Sequence, residues 1–133
     1  MKESSFQFSN PTLDEIYFYI NKDFDVTQFQ GLDIKSNTEV SISSEDFKAN
    51  VSLEINIGNK DIKYPFKIKC IFSSDFNWTA DTEYTNELLE KNAPAVLLSY
   101  ARPYISMITA GSKYPPFNLP FMNFQDNKED DTK

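Results

Sequence analysis

Cys70 is the only cysteine in the chain, and histidine is absent from its 133 residues. Ser-His-Asp and Cys-His nucleophilic chemistry is thereby excluded, along with the commonest zinc ligands. Carboxylates and lysines remain, but none stands in a recognisable catalytic pair. Three glycines are too few for glycine-rich phosphate loops. No enzyme activity, cofactor or metal is expected. The residues whose type and spacing do stand out are apolar. "KYPPFNLPFMNF", residues 113–124, carries Tyr114, Phe117, Leu119, Phe121, Met122 and Phe124 among three prolines. Prolines forbid a regular helix there and make a poor central strand. Loops are ordinarily polar because they run over the surface. So apolar a segment, on a backbone that cannot pair itself, raises the question of what its side chains cover.

Composition narrows the partners. Hydrophobic residues make up 40 % of the chain, with twelve Phe and seven Tyr, enough for one globular core. The net charge of −7 leaves no basic stripe to neutralise phosphates, so no nucleic-acid partner is expected. The N-terminal "MKESSFQFSN" holds no apolar stretch of signal-peptide length, and no run approaches a membrane span. A lone cysteine fits a reducing compartment. A cytoplasmic protein without membrane insertion is expected.

The elements that must hold the greasy segment are a sheet and a helix. "ANVSLEINIGNKDIKYPFKIKCIF" alternates with period two on both sides of Gly58-Asn59, which predicts a hairpin with a two-residue turn. That turn pairs Ile57 with Lys60, Ile55 with Ile62, Leu53 with Tyr64 and Val51 with Phe66, all on one apolar face. The other face, with Glu54 opposite Lys63, is wet. "TEVSISSEDF" adds a third strand through Val40 and Ile42. "EIYFYINK" adds a fourth, with Ile16, Phe18 and Ile20 on one face and Tyr17 and Tyr19 on the other. This strand is either covered on both sides, as by a second subunit, or presents one aromatic face, Phe18 included, for binding.

After residue 80 the period becomes helical. "TNELLEKN" reads as a short helix and "NAPAVLLSYARPYISMITAGS" as a long one, with Asn92 as N-cap, Pro94 in the first turn and Gly111 as the C′ residue. Leu97, Tyr100, Ala101, Tyr104, Ile105 and Ile108 form one apolar stripe, and Val96, Pro103, Met107 and Ala110 a second. A helix apolar on two sides has two partners. One is the sheet. The other is the same helix of another subunit, with Val96, Tyr100, Pro103, Met107 and Ala110 at the contact. Pro103 inside the helix kinks it or costs about 3 kcal/mol. The final "QDNKEDDTK", residues 125–133, reads as a disordered acidic tail after a single domain spanning 1–124. The fold class is α+β: a four-stranded antiparallel sheet with a long helix packed on one face.

The order of four strands, long helix and proline-rich segment resembles the SecB family of export chaperones. The match is sharpest in "LLSYARPYISMITAGSKYPPFNLPFMNF". Tyr100-Ala101-Arg102, Gly111, Tyr114, Pro115, Phe117, Asn118, Leu119, Asn123 and Phe124 stand where that family has its mid-helix triplet, helix-ending Gly and crossover segment. The resemblance implies an ATP-independent holdase that binds unfolded or precursor polypeptides in a hydrophobic groove, working in protein export as a homotetramer or dimer. Phe117, Leu119, Phe121, Met122 and Phe124 would line the groove, unless they pack as core. Phe76 and Trp78, set among polar residues in "SSDFNWTAD", are further candidates, as is Phe18. After Phe124 the resemblance leads to the expectation that the family's second long helix is absent or that another chain supplies its cover. Its acidic docking face for the SecA motor keeps only Glu15 here. Tyr19 and Pro65 replace other acids, and Lys63, Lys67 and Lys69 make the face basic, which argues against SecA as a partner. A module of the same fold with one fixed partner, such as an antitoxin, is the competing reading. A small ligand carrier with a greasy pocket is the third.

Overall fold

The computed structural model describes residues 6–43, 46–80, 83–122 and 124. Its centre is a strand longer than the alternating pattern first suggests. β1 (Phe6–Phe8), β2 (Thr12–Ile20), β3 (Ile34–Ser43), β4 (Lys48–Gly58) and β5 (Phe66–Trp78) form one antiparallel sheet. β5 is flanked by β4 on one edge. On its other edge it pairs β2 through Phe66–Ser73 and β1 through Phe76–Trp78. β1 and β2 are therefore one lane broken in two, and four lanes carry five strands. The break falls at Ser9-Asn10-Pro11, where Pro11 has no N–H for the ladder. The Ser74 hydroxyl donates to the Ser9 carbonyl at 2.6 Å and the Asp75 amide to the Ser9 hydroxyl at 3.2 Å, so the gap is stitched by side chains.

The β4–β5 register corrects the expected hairpin. Ile57 pairs with Ile68, Ile55 with Cys70, Leu53 with Phe72 and Ala49 with Phe76. The tight Gly58-Asn59 turn is replaced by a loop from Asn59 to Pro65. In the expected register Pro65 would face Ser52 inside a central strand, where its missing donor breaks the ladder. Instead the Pro65 carbonyl accepts the Asn21 amide, the Tyr64 amide turns back to the Asp61 carbonyl, and the buried Asn21 side chain donates to the carbonyls of Asp61 and Tyr64. The shift is eight residues, an even number, so every side chain keeps its expected face. Glu54 lies opposite Ile71, and Lys63 belongs to the loop.

Alternation then builds the core. Ala49, Val51, Leu53, Ile55 and Ile57 of β4 and Phe66, Ile68, Cys70, Phe72, Phe76 and Trp78 of β5 are all buried on one face. Residues 85–110 run as continuous helix: α1 (Thr85–Glu87), a π-helical turn (Leu88–Asn92) and α2 (Ala93–Ala110). Asn92 is thus helical and makes no side-chain cap, contrary to expectation. The wide turn precedes Pro94, which has no N–H to continue the ladder, and the Ala93 amide reaches back to the Leu88 carbonyl.

α2 lies on β4 and β5 and buries Ala93, Pro94, Leu97, Leu98, Ala101, Ile105 and Thr109. The buried stripe is rotated from the expected one: Leu98 and Thr109 are in, while Tyr100 and Tyr104 are about 40 % exposed. Pro103 does not end the helix. Gly111 closes it at φ −80°, so no left-handed residue is needed there; the Ser112 amide and hydroxyl both donate to the Thr109 carbonyl. The expected acidic tail, residues 125–133, lies outside the described residues, as does Asn123.

Candidate functional site

The proline-rich segment after α2 runs back along the helix, held by hydrogen bonds to three α2 side chains. The Phe117 amide donates to the Thr109 hydroxyl at 2.7 Å. The Arg102 Nε donates to the Leu119 carbonyl at 2.8 Å. The Ser106 hydroxyl bonds the Asn118 side-chain oxygen at 2.9 Å. Arg102, Ser106 and Thr109 lie at helical spacing, so one face of α2 carries a row of polar hooks for an extended chain.

This anchoring sorts the candidate residues into different environments. Leu119 and Phe124 are buried, at 0 % and 5 % exposure, and belong to the core. Phe117 and Met122 are half-buried at the core's margin. Phe121 is 81 % exposed, its ring covering the Arg102 guanidinium at 4.1 Å. The segment thus seals with two side chains, borders with two and displays one. Phe18 is half-buried, its ring 5.9 Å from that of Phe66.

Phe76 and Trp78 are core residues, at 1 % and 6 % exposure. The reason is the length of β5. "SSDFNW" continues its alternation, so Ser74, Phe76 and Trp78 face inward while Asp75 and Asn77 face water. Phe6 stacks on Trp78 at 5.7 Å and lies 5.8 Å from Phe76. Along α2, Tyr100, Pro103, Met107 and Ala110 are exposed and Val96 is half-buried, with Met107 reaching 65 %. The sheet's apolar face is also incompletely covered at its edges, where Ile16 and Ile42 remain 38 % and 49 % exposed.

Two features were missed in the sequence. The first is an aromatic corner around a short 3-10 turn, Val26–Gln28. Phe24 meets Phe29 and Tyr114 edge-on at 5.8 and 5.7 Å, and Tyr114 reaches Phe66 at 6.5 Å. Val26 and Phe29 stay exposed beside it. Asp25 caps the turn by accepting from the Thr27 amide and hydroxyl, and these bonds, the Thr27 side chain first, hold its carboxyl below the usual range. An "Asp-x-Thr" spacing was the available signal. The second feature is Arg102, whose position on the side of α2 that meets the proline-rich segment follows only from the rotated stripe.

The opposite sheet face is polar. Lys69 pairs with Glu15 at 3.1 Å, which raises its pKa, and Lys67 donates to Asn56. The Lys60 ammonium lies 5.2 and 4.9 Å from the rings of Tyr17 and Tyr19, and Tyr17 is the main cause of its raised pKa. Cys70 is enclosed in the core, and burial pushes its thiol up to about 11, far from a reactive thiolate. Among the described residues no three His, Cys, Asp or Glu side chains gather to hold a metal, and no helix is long and apolar enough to cross a membrane.

No known protein-family model matches the chain, and no curated protein matches it in sequence. Solved structures do. A SecB-like chaperone of Mycobacterium tuberculosis, solved in complex with a ChAD peptide from the HigA1 antitoxin, superposes with a TM-score of 0.71 at 15 % identity, over 89 % of this chain and 91 % of that one. A Streptococcus agalactiae protein of unknown function superposes with a TM-score of 0.53 at 10 % identity, over 90 % of this chain and 100 % of that one. The fold of this chain is SecB-like: an antiparallel sheet with one long helix across it.

Proposed function

We propose that this chain is a SecB-like chaperone that holds extended segments of other polypeptides, without ATP, against the crossover segment and the margin of the sheet. One observation carries the reading. The segment 114–122 is fixed to α2 by Arg102, Ser106 and Thr109, yet leaves Phe121 in solvent and Phe117 and Met122 at the core's edge. A backbone stiffened by proline loses little entropy on binding. Phe and Met accept many client side chains in place of one. Burying each large apolar side chain contributes about 1.5–3 kcal/mol, so several contacts along an unfolded chain sum to useful affinity. Leu119, Phe124, Phe76 and Trp78 belong to the core that supports this surface. Assembly through Val96, Tyr100, Pro103, Met107 and Ala110 into a dimer or dimer of dimers would cover the exposed face of α2. A cytoplasmic location and a role in export belong to the same reading.

The test is light scattering of an unrelated protein diluted from denaturant. Near-stoichiometric amounts of the chain should suppress aggregation, and Phe121→Ser should weaken the effect. Unchanged scattering at excess chain would remove the holdase activity.

A second reading, one fixed partner such as an antitoxin, has its own support. The sheet face that would be acidic for SecA carries Lys60, Lys67 and Lys69 beside Tyr17 and Tyr19, and the similar mycobacterial chaperone was solved with an antitoxin peptide. A single stoichiometric protein co-purifying with the chain, with no protection of unrelated clients, favours this reading.

A further inference from the structure

We propose that Arg102 makes the surface beside the crossover segment selective for polypeptides that carry a carboxylate next to an apolar side chain. The inference rests on the polypeptide-binding reading and deepens it. Arg102 is the only arginine in the chain. It stands mid-helix, half-buried, at the point where the crossover segment passes over α2. Its Nε–H is committed to the Leu119 carbonyl at 2.8 Å, and one face of its guanidinium is covered by the Phe121 ring at 4.1 Å. These two contacts fix the plane of the fork. They leave the four N–H groups of the terminal nitrogens, the part of arginine that matches a carboxylate bidentately.

Among the described residues no carboxylate answers it: the ion pairs found there are Lys69–Glu15 and Lys91–Glu87. A partly desolvated guanidinium without a counter-charge is costly, and a carboxylate that arrives with a ligand recovers that cost. The neighbouring Phe121, 81 % exposed, offers the apolar contact beside it. Charge and grease are therefore adjacent at one point, and the ligand they fit is an extended peptide with Asp or Glu flanking a large apolar residue. The chain's overall net charge of −7 works against acidic ligands in general. Selectivity for a carboxylate would thus be local to Arg102 and readable against that background.

The experiment uses the full chain and three labelled decapeptides with one apolar core, flanked by Glu, by Gln or by Lys, measured by fluorescence anisotropy at low and high salt. The Glu peptide should bind about tenfold more tightly than the Gln peptide at low salt, the factor expected of one charge-assisted pair, and the ratio should shrink as salt rises. Arg102→Gln should bring the Glu-to-Gln ratio to about one. Arg102→Lys, which keeps the charge without the fork, should retain a ratio between the two. If Arg102→Gln does not fold, the wild-type ratio and its salt dependence still decide. A wild-type ratio of one or below, with the Gln peptide binding, overturns the selectivity and leaves the polypeptide-binding reading in place. Failure of all three peptides to bind overturns both. Appearance of the preference only after deletion of residues 125–133, which include Asp126, Glu129, Asp130 and Asp131, would assign the guanidinium to the chain's own tail and overturn the inference for the full chain.

Discussion

The Thr109 hydroxyl accepts the Phe117 amide at 2.7 Å and donates to the Ile105 carbonyl at 2.8 Å, within a residue that has no exposed surface. One oxygen thereby joins the last turn of α2 to the start of the extended segment. Thr109→Val keeps the shape and removes the oxygen, leaving the Phe117 N–H unpaired. The expected loss is about 1–3 kcal/mol in denaturant unfolding, the cost of an orphaned polar group. Thr109→Ser keeps the bond and should cost about 1 kcal/mol for the missing methyl. Equal losses in the two variants would mean that the methyl, and not the hydroxyl, holds the junction.

Gly58 sits at φ +72°, and a Cβ there would meet the Phe66 carbonyl oxygen at 2.1 Å. Gly58→Ala must move the start of β5, with an expected cost of about 2 kcal/mol or more. Gly31, at φ +105°, has nothing within 4 Å. Gly31→Ala carries only the backbone penalty, about 1–2 kcal/mol. Thermal denaturation of the two variants checks the order, and a larger effect at Gly31 would refute the crowding at Gly58.

How much of this was legible follows from period and parity. The faces of β2, β3, β4 and β5 could be read because a period of two survives any even shift of register, and the observed shift is eight residues. The turn was misread because Gly58-Asn59 is a strong local signal, whereas the opposing one, Pro65 placed opposite Ser52 in a central strand, becomes visible only once β2 is known to pair the far edge of β5. The inward setting of Phe76 and Trp78 is obscured for a related reason: their polar neighbours Ser73, Asp75 and Asn77 make a core setting look unnatural, although alternation with Ser74, Phe76 and Trp78 is intact. In α2 the apolar residues spread too widely to fix the buried stripe, and only packing against the sheet chose Leu98 and Thr109 over Tyr100 and Tyr104. That Arg102 meets the proline-rich segment could not be read until that rotation was settled.

Phe121 and Leu119 separate binding from stability. Phe121→Ser removes an 81 % exposed ring and should change stability by no more than about 1 kcal/mol, the size of an exposed cation–π contact. Leu119→Ala empties a fully buried site and should cost about 2–5 kcal/mol. Protection of an aggregating client should fall in the first variant at nearly unchanged melting temperature. A Phe121→Ser protein as protective as the wild type would move the client contact elsewhere on the surface.

Met107 is 65 % exposed on the face of α2 turned from the sheet, in line with Pro103 and Ala110. An Asp at this position would stand in water in an isolated subunit and inside an apolar contact in an assembly. Met107→Asp should therefore lower the mass in solution, read by light scattering after size exclusion, while far-UV circular dichroism stays that of the wild type. An unchanged oligomer would show that subunits meet through another surface, and a wild-type monomer would show that this face is uncovered.

Cys70 sets the last prediction, and its sign follows from burial. The folded thiol is pushed up to about 11, above its ordinary value. Below pH 8 both folded and unfolded chains keep the proton, and the stabilising effect is fully present. Between about pH 9 and 11 the unfolded chain ionises first and binds fewer protons, so stability falls with rising pH. A rise of this size in the folded chain corresponds to about 2–3 kcal/mol, lost as pH climbs through the folded value. The comparison is with Cys70→Ala, which shares every other ionisable group. The wild-type advantage over Cys70→Ala in urea should be largest near pH 8 and shrink by about that amount at pH 11. An advantage that stays constant across this range would show that the thiol loses its proton equally in both states.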